Sequence, residues 1–225
     1  MNLLSKYGDQ LVDAFIMTIK LTVLSAIGAL ILGTIIAAMR VSPIPIARAI
    51  ATGYVTIFRN TPLTLIILFT SFGLYQTMGI ALAPEDSPTG LVDNNIRLAI
   101  LGLSVYTASF VAESLRSGIN TVPVGQAEAG RSLGMTFTQN ITIVVLPQAF
   151  RAVIGPLGSV LIALTKNTTI ASVIGVAEAS FLMKTMIENE AAIFAVGGIF
   201  ALGFVILTLP TGLLFGYLSK RLAVK

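Results

Sequence analysis

The chain has 225 residues, of which 55% are apolar and 11% are charged, and its net charge is +4. Roughly a quarter of the residues in an ordinary soluble domain are charged, and a soluble domain of this size cannot bury so much apolar surface. The mean hydropathy of +0.91 therefore indicates a polytopic membrane protein. Cysteine, histidine and tryptophan are absent, which excludes disulfides, thiolate nucleophiles, imidazole bases and histidine-ligated haem.

Stretches with few or no charges, each long enough to cross the roughly 30 Å core of a bilayer, predict five transmembrane helices. The polar N-terminus lacks the pattern of a cleavable signal peptide, so we expect the first span to remain in place. Residues 132–150 are also uncharged, but their polar side chains and Pro147 favour an interfacial segment over a sixth span. The predicted spans cover residues 11–39, 60–84, 98–113 and somewhat beyond, 152–177, and 191–219.

The distribution of charge predicts the orientation of these spans. With the N-terminus outside, nine basic residues lie inside and three lie outside, which is a clear positive-inside bias. The inside residues are Arg40, Arg48, Arg59, Arg116, Arg131, Arg151, Lys220, Arg221 and Lys225, and the outside ones are Lys6, Arg97 and Lys184. We therefore expect an all-α polytopic protein with a cytoplasmic C-terminus, in which residues 1–225 form a single transmembrane domain. The net charge of +4 reflects this topology and indicates no nucleic-acid partner.

The longest predicted cytoplasmic segment covers residues 119–151. Pro123 is suited to open a short helix there, and Gly134 is suited to end it in a left-handed conformation. A short helix rich in small residues suits insertion into a groove of a partner protein. An ordinary amphipathic loop lying on the membrane is the alternative.

This segment resembles the coupling loop of ATP-binding-cassette (ABC) importer permeases, which reads Glu-Ala-Ala, three residues, Gly, nine residues, then Ile-x-Leu-Pro. The matching positions are Glu128, Ala129, Gly130, Gly134, Val144, Leu146 and Pro147, with Gly130 and Val144 replacing Ala and Ile. The strings from Phe58 to Leu63 and from Lys166 to Thr169 resemble signatures of the polar amino-acid branch of these permeases, which includes histidine, glutamine, glutamate and arginine permeases. The resemblance covers about residues 10–220, and is greatest to actinobacterial glutamate-uptake permeases.

The resemblance implies a type I ABC importer permease fold and ATP-driven import of a polar amino acid, with glutamate first and glutamine, aspartate or arginine as alternatives. It implies four kinds of partner: a homodimeric ATPase, a second permease that is either related or a copy, an extracellular amino-acid-binding protein, and membrane lipid. ATP and Mg²⁺ are then expected in the ATPase, with no cofactor in this chain, because it lacks a phosphate-binding loop of the form G-x-x-x-x-G-K-[ST]. The chain itself is thus expected to be no enzyme, and to lie in a bacterial plasma membrane as a multi-pass protein. The residues implied in ATPase coupling are Gln126, Ala127, Glu128, Ala129, Gly130, Arg131, Ser132, Leu133 and Gly134.

Lys166 lies about 14 residues into the fourth predicted span, or roughly 21 Å along a helix. A lysine at that depth must face protein, water or a partner charge. We predict that the helix is broken here and that residues 166–169 line the translocation path near a substrate carboxylate; pairing of Lys166 with Glu178 is the alternative. The residues predicted for the path are Lys166, Asn167, Thr168, Thr169, Arg59, Asn60, Thr61 and Glu113.

Several of these residues also have simpler interpretations. Arg59 would mark the inner end of the second span, and Glu113 would form an ordinary pair with Arg116. The acidic segment 85–93 either contacts the binding protein or is merely solvated. Pro210 is expected to kink the last span, and the glycines of that span are expected to allow close packing: Gly197, Gly198, Gly203, Gly212 and Gly216. An ion-gradient-driven transporter or channel is the alternative class, and needs no coupling loop.

Overall fold

A computed structural model describes residues 3–84 and 87–222, and these ranges form helices joined by short connections. Glu85 and Asp86 of the acidic segment lie outside the described residues. The helices are α1 (Leu3–Arg40), α2 (Pro45–Asn60), α3 (Leu63–Leu68), α4 (Gly90–Ile119), α5 (Val124–Ser132), α6 (Phe137–Gln139), α7 (Leu146–Ala152), α8 (Ile154–Asn167), α9 (Ala179–Glu190) and α10 (Ile193–Leu222). Three segments with other helical geometry extend these α-helices. They are a π-helix after α3 (Phe69–Thr77), a π-helix before α7 (Asn140–Val145) and a 3₁₀ helix after α8 (Thr168–Ile174).

Within the described residues, four helices are long and apolar enough to cross a membrane: α1, α4, α8 with its 3₁₀ extension, and α10. The number is five if α2 and Leu63–Thr77, which are bent by 105° at the break between them, are counted together as one span. The predicted number of five spans thus agrees with the structure. The segment 132–150, for which we predicted an interfacial position, is a series of short helices.

The predicted bounds of the second span, 60–84, are wrong. The helix begins at Leu63 and ends at Thr77, and Asn60 belongs to the preceding helix. The cause is Pro62, whose ring disfavours a helical conformation of the residue before it. Thr61 is accordingly extended, with φ −98° and ψ 131°, and the chain turns sharply between two helices.

The core forms where α1 crosses α4 at close range. A Cβ atom at Gly33 would lie 2.6 Å from Cγ1 of Val111 and 2.9 Å from the carbonyl oxygen of Ala108. Nearer the start of α1, Ser25 donates a hydrogen bond to the carbonyl of Ile100 on α4 at 3.4 Å. Small residues and interhelical hydrogen bonds of this kind hold helices together in a membrane, because the hydrophobic effect contributes little to helix association in lipid.

The last span packs on α8 and α1 through only part of its length. Gly203 lies against the ring of Phe15 and Gly212 against Ile162, as predicted for packing glycines. A Cβ at Gly197, Gly198 or Gly216 would meet no described atom within 4 Å, so these three glycines pack against no other described helix of this chain. Helix α10 continues through Pro210 to Leu222, and most of its surface is exposed.

Helix α9 was not predicted, because Lys184, Glu188 and Glu190 interrupt its apolar pattern. It packs between α1 and α10, with Met186 buried. Its last residue, Glu190, accepts hydrogen bonds from Lys6 at 2.5 Å and from Tyr7 at 2.9 Å. These contacts fix the N-terminal end of α1. Following the orientation that the charge bias predicts, we call this end of the bundle the outer end and the opposite end the inner end.

The α1–α4 crossing generates a stability prediction. Gly33→Ala should lower the free energy of unfolding by about 1–3 kcal/mol, because the new methyl group overlaps the backbone of Ala108. Gly197→Ala is the matched control and should be neutral or slightly stabilising, since its methyl group meets open space. Thermal or denaturant unfolding of both variants in detergent provides the measurement. Equal stability of the two variants would contradict this packing.

Candidate functional site

Two helix faces run side by side along an open groove. Residues at intervals of three and four fall on one face of a helix, and both α4 and α8 present such a set. Two adjoining hollows of about 320 Å³ each lie between them. We call the whole the α4–α8 groove; it is lined by Tyr106, Phe110, Glu113 and Ser117 from α4 and by Pro156, Ser159, Ala163 and Asn167 from α8.

Glu113 joins three helices at the inner end of this groove. Its Oε2 forms an ion pair with Arg40 at the end of α1 and lies 3.7 Å from Arg59 at the end of α2. Its Oε1 lies 3.3 Å from Arg116, one turn further along α4. The predicted pair with Arg116 is therefore present, as one part of a larger cluster. Three guanidinium groups share one carboxylate, so the cluster retains positive charge.

Arg59 also reaches the groove itself. Its guanidinium carbon lies 5.5 Å from the ring centre of Phe110, within the range of a cation–π contact. Asn60 and Thr61, by contrast, turn back to the helix that they end. Asn60 donates to the carbonyl of Thr56 at 2.7 Å, and Thr61 donates to that of Ile57 at 2.8 Å.

The Lys166 segment has two different surfaces. Lys166 is exposed, and among the described residues it forms no ion pair; Asn167 beside it lines the groove. Thr168 is fully buried and donates to the carbonyl of Thr165, while Thr169 donates to that of Lys166. The expected break is instead a change from α-helix to 3₁₀ helix at Thr168, where these hydroxyl groups satisfy freed carbonyl groups.

Glu178, the alternative partner for Lys166, has another role. Its side chain caps α9, accepting hydrogen bonds from the backbone N–H groups of Ser180 at 2.8 Å and Phe181 at 3.0 Å. Burial raises the pKa of this carboxyl to about 7, while the two backbone hydrogen bonds and Lys184 act in the opposite direction. Glu178 therefore stabilises the turn into α9 and forms no ion pair with Lys166.

The second candidate site is α5, which stands out from the inner end of the bundle. Val124 is 70% exposed and Leu133 is 79% exposed, and Glu128 between them is exposed as well. The helix ends as predicted at Gly134, which has φ +79°. The N–H of Gly134 bonds to the carbonyl of Arg131 and that of Met135 to the carbonyl of Gly130, which are the two bonds of a Schellman cap.

Asn140 ties α5 to the π-helix that follows it. Its Nδ2 donates to the carbonyl of Ala127 at 2.6 Å, and the side chain is 95% buried. A Cβ atom at Gly130 would lie 2.9 Å from Oδ1 of Asn140. An alanine at this position would displace the Asn140 amide, so the glycine leaves room for that side chain.

The sequence did not single out Tyr106, Phe110 and Ser159 in the groove, Arg40 in the ion cluster, or Asn140 beneath α5. The i, i+4, i+7 spacing of Tyr106, Phe110 and Glu113 was the one signal that pointed to a common helix face. The partners of Arg40 and Asn140 depend on tertiary contacts. Local patterns carry no information about such contacts.

A bundle of up to five spans, with an open groove and a short exposed helix at one end, is typical of a membrane transport subunit. The chain matches the family of binding-protein-dependent transport system inner membrane components over residues 11–224, and it belongs to that family. It is therefore a multi-pass membrane permease subunit of an ABC importer. Such a subunit works with a separate ATPase, which hydrolyses ATP, and with a binding protein.

Similar proteins cover nearly the whole chain. The glutamate transport system permease protein GluC of Corynebacterium glutamicum is 64% identical over 219 residues, which are 97% of this chain and 96% of that protein. The probable glutamine ABC transporter permease protein GlnM of Bacillus subtilis is 33% identical over 93% of this chain and 92% of its own length. A crystal structure of an amino acid ABC transporter with histidines superposes with a TM-score of 0.80 at 30% identity, covering 98% of this chain and 99% of that one.

The Asn140 contact generates a prediction for the mobility of α5. Asn140→Ala should raise amide hydrogen exchange across residues 124–132 by about fivefold, because it removes a buried hydrogen bond to Ala127. Thr142→Ala is the matched control on the same π-helix and should change little, since the Thr142 hydroxyl bonds only within its own turn.

A double-mutant cycle makes this test sharper. Gly130→Ala should also raise exchange in the wild-type background, but it should have no further effect once Asn140 is alanine. Additive effects of the two substitutions would show that Gly130 and Asn140 act independently.

Proposed function

We propose that this permease forms the membrane path for import of an acidic amino acid, with glutamate as the first substrate. The main support for glutamate as the substrate is the 64% identity, over almost all of both chains, to a protein named as a glutamate transport permease. Glutamine, aspartate and arginine remain the alternatives to be separated by experiment. The charges along the α4–α8 groove support the acidic substrates over the cationic one.

Lys166 supplies the first of these charges. It lies 12 residues after Ile154, or roughly 18 Å along α8 from the inner end, which is deep in the span. An exposed lysine without a described ion-pair partner at that depth requires water or an anion nearby. A substrate carboxylate in the groove meets that requirement, with Asn167 and Thr169 as neutral polar neighbours and buried Thr168 holding the turn from behind.

The ion cluster supplies positive charge at the inner end. Arg59 lies at the groove wall, on Phe110, and Arg116 follows one turn beyond Glu113. An anion leaving Lys166 toward the cytoplasm meets these guanidinium groups next. Glu113 competes for them, so that the substrate is attracted but not retained, which transport through any binding site requires.

The open groove supports a dimer of permeases. The faces of α4 and α8 that line it are not covered by other described helices of this chain, so a second subunit would close the path. We propose a related permease or a second copy in that position. ATP and Mg²⁺ bind in a homodimeric ATPase, and α5 seats in a cleft of that ATPase through residues 126–134. Membership of the family of binding-protein-dependent importers argues against the ion-gradient-driven alternative.

Uptake of labelled glutamate by proteoliposomes that contain the complete importer tests the role of Lys166. Lys166→Met should reduce uptake by about tenfold or more, because the substrate charge loses its partner in the membrane. Lys20→Met is the control, since Lys20 is the other lysine within a predicted span and lies away from the groove on α1. Unlabelled aspartate should compete with glutamate better than glutamine or arginine does. Full uptake and normal ATPase stimulation in Lys166→Met would overturn this role.

Association of the ATPase tests the role of α5. Glu128→Ala should weaken binding of the ATPase to the detergent-solubilised permease by about fivefold or more, since Glu128 is exposed at the centre of this helix. Glu188→Ala removes an exposed carboxylate from α9 at the other end of the bundle and should leave the affinity unchanged. If both variants bind the ATPase like the wild type, α5 is not the contact surface through Glu128.

A further inference from the structure

A cavity of about 730 Å³ lies at the inner end of the bundle, apart from the α4–α8 groove. One wall is the turn from α1 into α2, which includes Ser42 and Arg48. The other wall is the segment that carries α5 and the π-helix after it, which includes Arg131 and Asn140. Its volume lies within the range of small-molecule binding sites. We call it the inner cavity.

The lining of the inner cavity is strongly basic. Arg40, Arg48 and Arg131 contribute to it, and the described residues that line it include no acidic side chain. Arg40 has Glu113 as a partner outside the cavity. Arg48 donates only to the backbone carbonyl of Ser42, at 2.9 Å, and neither Arg48 nor Arg131 takes part in an ion pair among the described residues. Two guanidinium groups are therefore available for an anion.

Apart from Ser42, Asn120 and Asn140, the rest of the lining is apolar, which points to an amphiphile and not to a simple anion. The apolar lining residues are Val41, Ile119, Val122, Met135, Phe137 and Ile141. The adjacent face of α2 exposes Ile46 at 71% and Ile50 at 59%, as a helix does that lies against lipid. The cavity thus has a phosphate-binding wall and an apolar wall beside a lipid-facing helix, at the end of the bundle that the charge bias places in the cytoplasm.

We propose that the inner cavity binds one anionic phospholipid, with its phosphate between Arg48 and Arg131. Guanidinium groups bind phosphate through paired N–H donors, which favours arginine over lysine in this place. Arg131 lies on α5, the helix proposed to seat in the ATPase. The occupied cavity therefore links the state of the inner leaflet to the position of that helix.

Lipid retention by the complete importer tests the proposal directly. Nanodiscs of phosphatidylcholine mixed with phosphatidylglycerol are prepared with each variant, and the lipid that stays bound is measured by native mass spectrometry. Arg48→Gln should lower retention of phosphatidylglycerol by about fivefold. Arg151→Gln is the control, because Arg151 is an exposed inner arginine that does not line the cavity. Equal losses in both variants, or no loss in either, would overturn the proposal.

A second variant tests the same site independently of the folding of Arg48→Gln. Val124→Glu places a carboxylate in the cavity at an exposed position in the first turn of α5, where an acidic residue is favourable for the helix. It should lower phosphatidylglycerol retention like Arg48→Gln, and retention at the wild-type level would contradict the site. Excess glycerol 3-phosphate should not displace the lipid; displacement would show that a soluble phosphate compound is the ligand. Retention is measured without transport, so its outcome is independent of the proposed substrate.

Discussion

One carboxylate, that of Glu113, determines how the inner ends of three helices meet. Arg40 ends α1, Arg59 ends α2, and Arg116 lies on α4, so without Glu113 three cations would face one another in a partly buried place. The Glu113–Arg40 pair lies in the same helix pair that is packed closely at Gly33. The steric contact fixes the distance between α1 and α4, and the ion pair fixes their rotation and register.

This constraint gives α4 two different faces. The face toward α1 is small and buried, with Ala108, Val111 and Ala112 in the core. The face toward the groove carries Tyr106 and Phe110, and Glu113 lies between the two faces, where it reaches both Arg40 and the groove. Because the first face packs closely on α1 at Gly28 and Gly33, the second face is held in place, and a groove with fixed charges results. Rigid placement of charges matters for a path in a membrane, where an unpaired charge has few alternatives to its intended partner.

The sequence predicted what depends on long local patterns and missed what depends on contacts between distant residues. The length of the apolar stretches was sufficient to predict α1, α4 and α10, and Gly134 was sufficient to predict the end of α5. The bend at Pro62 was missed because two half-length helices and one full span have similar composition. Helix α9 was missed because its burial comes from packing on α1 and α10. The α4–α8 groove was predicted only in part, since Lys166 and Glu113 are conspicuous as charges in apolar surroundings, whereas Phe110 and Ser159 are ordinary residues until the two helices are placed together.

The segment after α4 is also held by a close approach at a glycine and by one polar side chain. Gly130 permits the approach of Asn140, and Asn140 holds the carbonyl of Ala127, so that α5 is attached to the bundle on one side while Glu128 and Leu133 face outward. Arg131 follows on the same helix and turns to the inner cavity. The Asn140 amide and the packing of Ala127 on Ile141 and Val145 attach α5 to the π-helix. Because the π-helix leads to α7 and α8, these attachments can transmit a displacement of α5 to the spans. A movement of α5 would therefore reach the α8 wall of the groove through Asn140 and the π-helix.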